Sequence, residues 1–199
     1  MGEIPFVEDI KTVDKSRGVF AESSRVIRSN ISFKLPESEN GSVILSTSSI
    51  KGEGKTMTAF NTAASYVASG KKVLLIGADL RNPQVHKLLN IDRKSNTIGL
   101  SNLLSNPSIK FSSDYVKHSF LFDKPIDIML SGPIPPNPAE LLGSDTFSSL
   151  LANFKESYDY VIIDSAPLVL VSDTIPILKH ADLVLYTMRA NHTDKKLAP

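Results

Sequence analysis

Short apolar runs alternate along this chain with stretches in which apolar residues recur at helical spacing. Residues 1–16 are mixed in polarity and broken by Pro5, and read as an N-terminal arm or linker. From Ser16 a helix is expected, with Val19, Phe20, Ile27 and Ile31 lining one face. Glu22, Arg25 and Arg28 recur every third residue, so at about 100° per residue they form one charged stripe roughly 120° wide. Pro36 and the polar stretch 37–41 close that helix. Val43–Ser46 then predicts a buried strand, Ser48–Gly54 a loop, and Lys55–Ala68 a helix ended by Ser69-Gly70. Lys72–Ala78 predicts a second strand, with a helix near Gln84–Leu89. Asn90–Lys117 is polar and predicts only a short helix near Leu100–Leu104. Further strands are expected at Ile126–Leu130, Tyr160–Ile163 and Leu183–Thr187, making five. Ser131–Pro138 holds four prolines and one glycine and reads as a stiff loop. Asn137-Pro138 reads as an N-cap with proline at N1, opening a helix to about Phe154. A last helix is expected near Ser172–Lys179. Continuously apolar strands alternating with helices imply an α/β fold, a parallel sheet covered on both faces.

Composition changes this picture little and narrows it usefully. With 199 residues, 22 Lys+Arg and 21 Asp+Glu, the net charge is +1, which gives no electrostatic case for a nucleic-acid partner. There is no cysteine, hence no disulfide framework and no thiolate metal site. Apolar runs such as Val73–Ile76 and Leu168–Val171 fall far short of the roughly 20 residues of a membrane span. No signal peptide is visible at Met1-Gly-Glu-Ile-Pro-Phe, so neither a secreted nor a membrane-spanning chain is expected. His86, His118, His180 and His192 lack metal-ligand spacing and read as surface or helix residues.

The candidate chemistry lies in Ile50-Lys-Gly-Glu-Gly-Lys55-Thr56, set between a buried strand and a helix. That is the position of a phosphate-binding loop: Gly52 and Gly54 let backbone N–H groups turn toward phosphates. Lys55 would neutralise the β/γ-phosphates and the Thr56 hydroxyl would ligate Mg²⁺. The first glycine of the usual pattern is replaced by Ser49. Tyr158-Asp-Tyr-Val-Ile-Ile-Asp164 is an apolar strand ending in a carboxylate suited to the Mg²⁺ shell. Val73-Leu-Leu-Ile-Gly-Ala-Asp79-Leu-Arg81 ends in a second. In a parallel sheet these strand ends share one edge, so Asp79, Asp164 and Lys55 should converge.

With those segments the chain resembles, from about Arg17 to Ala190, the cytoplasmic domain of the bacterial tyrosine kinases coupled to capsule and exopolysaccharide export. Glu22-Ser-Ser-Arg25-Val-Ile-Arg28 is similar to the family's Glu-x2-Arg-x2-Arg helix, Ser46–Thr56 to its Walker A, and Leu75–Pro83 to its second Walker A-type strand. Ser131–Ser144 resembles another characteristic segment. The resemblance implies the P-loop fold of the partitioning and division-site ATPases, with residues 17–199 as the kinase domain. It implies ATP-dependent phosphorylation of tyrosines, mostly in a neighbouring subunit's tail, within a ring of subunits. By the same resemblance Lys55, Asp79, Arg81 and Asp164 serve catalysis, and Gly52, Glu53, Gly54, Lys55, Thr56 and Met57 bind ATP or ADP. Thr56, Asp79 and Asp164 hold Mg²⁺, while Glu22, Arg25 and Arg28 contact the next subunit. It further implies a membrane-embedded polysaccharide co-polymerase, in the same or a partner chain, and a place at the inner face of the cell membrane.

Two positions depart from the family pattern. The second Walker A-type strand usually reads Asp-x-Asp-x-Arg, and here the first aspartate is Gly77. In the family that aspartate accepts the tyrosine proton, so an alternative is a nucleotide-binding regulatory module with impaired transfer. The sequence also stops soon after the fifth expected strand, and its tyrosines 66, 115, 158, 160 and 186 form no terminal cluster. The resemblance therefore implies a shortened piece without the family's last helix, strand and tyrosine tail. A partitioning-type ATPase is the weaker alternative, because its signature lysine would fall at Ile50 and Lys51 is one position out of frame.

Overall fold

The computed structural model describes residues 2–5, 19–36, 38–89, 91, 98–106, 108–121 and 124–197. The expected arm and the first turn of the expected opening helix thus fall mostly outside the described residues. The helices are α1 (Val19–Lys34), α2 (Lys55–Ala68), α3 (Val85–Leu88), α4 (Leu100–Ser105), α5 (Pro138–Leu142), α6 (Asp145–Ser157) and α7 (Ile175–Leu178). The strands are β1 (Ser42–Ser48), β2 (Val73–Gly77), β3 (Lys117–Leu121), β4 (Lys124–Met129), β5 (Tyr160–Asp164) and β6 (Leu183–Thr187). They form one sheet in the order β3-β4-β2-β5-β1-β6. Every pairing is parallel except the β3–β4 hairpin.

Alternation of side chains across the strands divides the core in two. Val43, Leu45, Leu74, Ile76, Val161 and Ile163 face α4, α5 and α6, where Leu103, Leu142, Phe147, Leu151 and Phe154 are buried. Ile44, Leu75, Ile162 and Ile128 face α2 and Ile31 of α1. Ala59 and Ala63 let α2 lie close to the sheet, and Tyr66 stacks on Tyr160 with ring centroids 3.7 Å apart. Burial on both faces is why the central strands read as unbroken apolar runs.

The structure differs from the sequence reading in three elements. A sixth strand, β3, lies at the edge of the polar stretch; as an edge strand it needs only β4's backbone, and its Phe120 is exposed. The single helix expected from Pro138 to about Phe154 is two helices. Gly143 ends α5, and Ser144, extended at φ −73° and ψ 156°, caps α6 by accepting the Phe147 N–H at 3.2 Å. Asn137 is not a side-chain cap: its Nδ2 donates to Glu140 Oε2 at 2.7 Å, while Pro138 at N1 has no N–H to satisfy. Residues 172–178 form a 3-10 turn running into the single turn of α7 rather than one helix.

Candidate active site

The loop from Ser49 to Gly54 joins β1 to α2 at the carboxyl edge of the sheet. Gly52 (φ 89°) and Gly54 (φ 98°) occupy the left-handed region, where a side chain would strain the backbone. Lys55 is the first residue of α2, so the free N–H groups of a helix N-terminus lie beside the loop. Between the glycines, buried Glu53 turns back on the loop. Its carboxylate accepts the Ile50 N–H at 2.8 Å and the Ser49 hydroxyl at 2.9 and 3.1 Å. It also accepts the Thr193 hydroxyl. Burial raises the Glu53 pKa, but the hydrogen bonds from Thr193, Ile50 and Ser49 outweigh it and hold the carboxyl below its usual range.

Lys55 meets both strand-end aspartates. Its Nζ lies 3.0 Å from Asp79 Oδ2, 3.9 Å from Asp164 Oδ1 and 3.5 Å from the Thr56 hydroxyl. Asp79 is fixed from its other oxygen by the Asn82 N–H at 2.9 Å. Asp164 ends β5, paired in register with Ser46 on one side and Gly77 on the other. It is fully buried, and neither carboxylate oxygen has a hydrogen-bond partner among the described residues. Its pKa is raised to about 6 in all: burial pushes it up most, the Lys55 charge and the Thr56 hydroxyl oppose that, and the Asp79 charge adds to the rise. A buried carboxylate that accepts no hydrogen bond from the described residues, paired only loosely with a lysine and set at the mouth of a glycine-built loop, fits a hydrated divalent cation carrying phosphates. Thr56, Asp79 and Asp164 are the residues that would hold it.

The remaining expected residues fall in different places. Met57 is half-buried in the first turn of α2. Arg81 is bound to buried Asp173, Nε to Oδ2 at 2.6 Å and Nη2 to Oδ1 at 3.0 Å, a bidentate pair 92 residues apart. Gly77 shares a sheet face with Asp164, since residues in register on parallel strands point the same way. A Cβ at Gly77 would fall 2.9 Å from Ser131 Oγ, which donates to the Gly77 carbonyl at 2.7 Å. On α1, Arg25 pairs with Glu22 at 2.8 Å at the surface, while Arg28 Nη1 donates to the Ser65 carbonyl on α2 at 2.6 Å. The sequence reading missed Asp173 and the turn 189–193, which touches the loop through Arg189, His192 and Thr193. Neither has a spacing signature; both are defined only by where distant segments meet.

A family model described as an AAA domain matches residues 42–195. Tyrosine-protein kinase YwqD of Bacillus subtilis is 37% identical over 190 residues, covering 96% of this chain and 77% of that protein. This chain belongs to the bacterial tyrosine-protein kinases. Within that family, the putative tyrosine-protein kinase CapB of Staphylococcus aureus is 33% identical over 93% of this chain and 79% of its own length. The solved kinase domain of Escherichia coli tyrosine kinase ETK superposes with a TM-score of 0.85 at 28% identity, covering 98% of this chain and 80% of that one. The P-loop fold extends beyond these kinases to cobyrinic acid a,c-diamide synthase of Mycobacterium smegmatis, solved with an ATP analog and magnesium. That likeness, with a TM-score of 0.66 at 18% identity over 79% of this chain and 62% of the other, is one of fold alone.

Proposed function

We propose that this tyrosine-kinase domain binds Mg·ATP at residues 52–57 and transfers the γ-phosphoryl group to protein tyrosines at a rate limited by Gly77. The observation that carries the reading is the meeting of Lys55, Asp79 and the buried Asp164, whose oxygens accept no hydrogen bond from the described residues, at the mouth of the loop. In the transfer, the tyrosine oxygen bonds to the γ-phosphorus, the bond from that phosphorus to the bridging oxygen of ADP breaks, and the phenol proton passes to solvent water. Lys55 supplies positive charge to the phosphates, and the loop N–H groups orient them. Magnesium, when bound, would neutralise phosphate charge.

Proton removal is the weak point. A tyrosine with pKa near 10 is a poor nucleophile at neutral pH, and Gly77 offers no carboxylate beside Asp164. Asp79 is engaged by Lys55 and Asn82. This favours the second reading, a module that binds nucleotide and signals through occupancy more than through transfer. We further propose, on the strength of the resemblance, that the domain works at the cytoplasmic face of the membrane, in a homo-oligomeric ring with a polysaccharide co-polymerase. Its role there is to regulate capsular or exopolysaccharide export.

The test measures MgADP affinity and phosphorylation of a supplied tyrosine peptide by the wild type, Lys55→Met and Gly77→Asp. We expect Lys55→Met to lose most nucleotide affinity. Gly77→Asp, once the Ser131 hydroxyl has moved aside, should transfer about a hundredfold faster than wild type. Equal affinity in wild type and Lys55→Met defeats the site assignment. Strong wild-type transfer that Gly77→Asp does not improve defeats the impaired-transfer reading.

A further inference from the structure

Beyond β6 the chain makes a tight turn over the phosphate loop. The Arg189 carbonyl accepts the His192 N–H at 3.2 Å and the Thr193 N–H at 3.0 Å, with Asn191 in the left-handed region at φ 59°. The Arg189 N–H donates to Thr193 Oγ at 2.9 Å. With that contact filling an acceptor position, the hydroxyl's single proton goes to Glu53. Two further struts hold the loop's carbonyls. Arg189 Nη1 donates to the Gly52 carbonyl at 3.3 Å, and His192 Nε2 donates to the Lys51 carbonyl at 3.0 Å.

In a trans peptide the C=O and the following N–H point in opposite directions. Tying the Lys51 and Gly52 carbonyls to this turn therefore aims the N–H groups of Gly52 and Glu53 away from it. Glu53 completes the brace, because its carboxylate meets donors from both the loop's own start and the turn. The loop is thus braced from outside by this turn.

We propose that Thr193 is a positioning residue for nucleotide binding: acting through the Glu53 carboxylate, it holds residues 51–54 in the phosphate-binding shape, so that the turn 189–193 sets nucleotide affinity. This rests on the reading of the loop as a nucleotide site. It makes the segment following β6 a control point, since displacing the turn releases one side of the loop.

The experiment is calorimetric titration of the whole chain with MgADP, using wild type, Thr193→Val and Thr193→Ser. Valine keeps the shape and removes the hydroxyl; serine restores it. Losing a hydrogen bond to a buried charge should weaken MgADP binding by Thr193→Val about tenfold or more, with Thr193→Ser within about twofold of wild type. Thermal unfolding without nucleotide should show Thr193→Val still folded, its midpoint lowered relative to Thr193→Ser by no more than about 10 °C. Undiminished affinity in Thr193→Val, or an equal loss in Thr193→Ser, overturns the proposal. So does a lost affinity in Thr193→Val matched by a collapse of its nucleotide-free midpoint, which would assign the effect to folding. A wild type that binds no MgADP overturns the nucleotide site itself, and this inference with it.

Discussion

Glu53 shows how one side chain can hold the shape of a loop by gathering donors from the loop's own start and from a distant turn. The Ile50 N–H and the Ser49 and Thr193 hydroxyls all donate to its carboxylate, which favours the ionised form. Its pKa is held below the ordinary 4.5 by those bonds, against the opposing effect of burial. The unfolded chain then takes up the proton first as pH falls. The stability Glu53 contributes is fully present above pH 4.5 and is lost as pH drops through the lowered value. Glu53→Gln puts an amide donor among donors and should cost on the order of 1–3 kcal/mol at neutral pH. Urea unfolding of wild type and variant across pH should give a constant difference above about pH 5 that shrinks toward lower pH. Parallel stability curves over the whole range would remove the carboxylate from this role.

At the scale of elements, the break between α5 and α6 sets how the α4–α6 layer covers the sheet. Ser144 does two jobs: its hydroxyl accepts the Phe147 N–H and donates to the Leu141 carbonyl at 2.7 Å. One residue thereby closes one helix and opens the next, and Phe147 and Phe154 reach the core. Ser144→Ala should lower unfolding free energy by about 1 kcal/mol and leave MgADP affinity unchanged. An unaltered denaturation midpoint would show that the break is held by packing alone. A Ser-Asp pair just after a glycine is a readable cap, yet the apolar spacing across 138–154 runs through it. Periodicity reports which face is buried and is blind to a change of axis.

At the scale of the molecule, α1 lies on α2 and divides its charged stripe between two tasks. Arg28 reaches the Ser65 carbonyl, so part of the expected subunit contact is engaged within the chain. Glu22 and Arg25 form an exposed pair on the remaining surface. Arg28→Ala should destabilise the monomer by about 1–3 kcal/mol, whereas the Glu22→Ala, Arg25→Ala double variant should change stability by less than about 1 kcal/mol. If this stripe faces a neighbouring subunit, the double variant will sediment as a smaller species than wild type at high protein concentration. A double variant that sediments like wild type rejects the stripe as the contact. No described helix is long and apolar enough to cross a membrane.

The amino-acid sequence alone determined the α/β alternation, the loop at Gly52–Thr56 and the two aspartates on one sheet edge. Each of these is written locally: unbroken apolar runs need cover on both faces, and glycines mark positive φ. Parallel pairing then brings strand ends together whatever lies between them, which is why Asp79 and Asp164 could be placed beside Lys55. Tertiary structure decided what has no local mark. The edge strand β3 exists because β4 offers its backbone, Arg81 finds Asp173 across 92 residues, and Thr193 finds Glu53 across 140. A hydroxyl or a carboxylate looks the same in sequence whether it faces water or a partner, and only the crossing of distant segments fixes which.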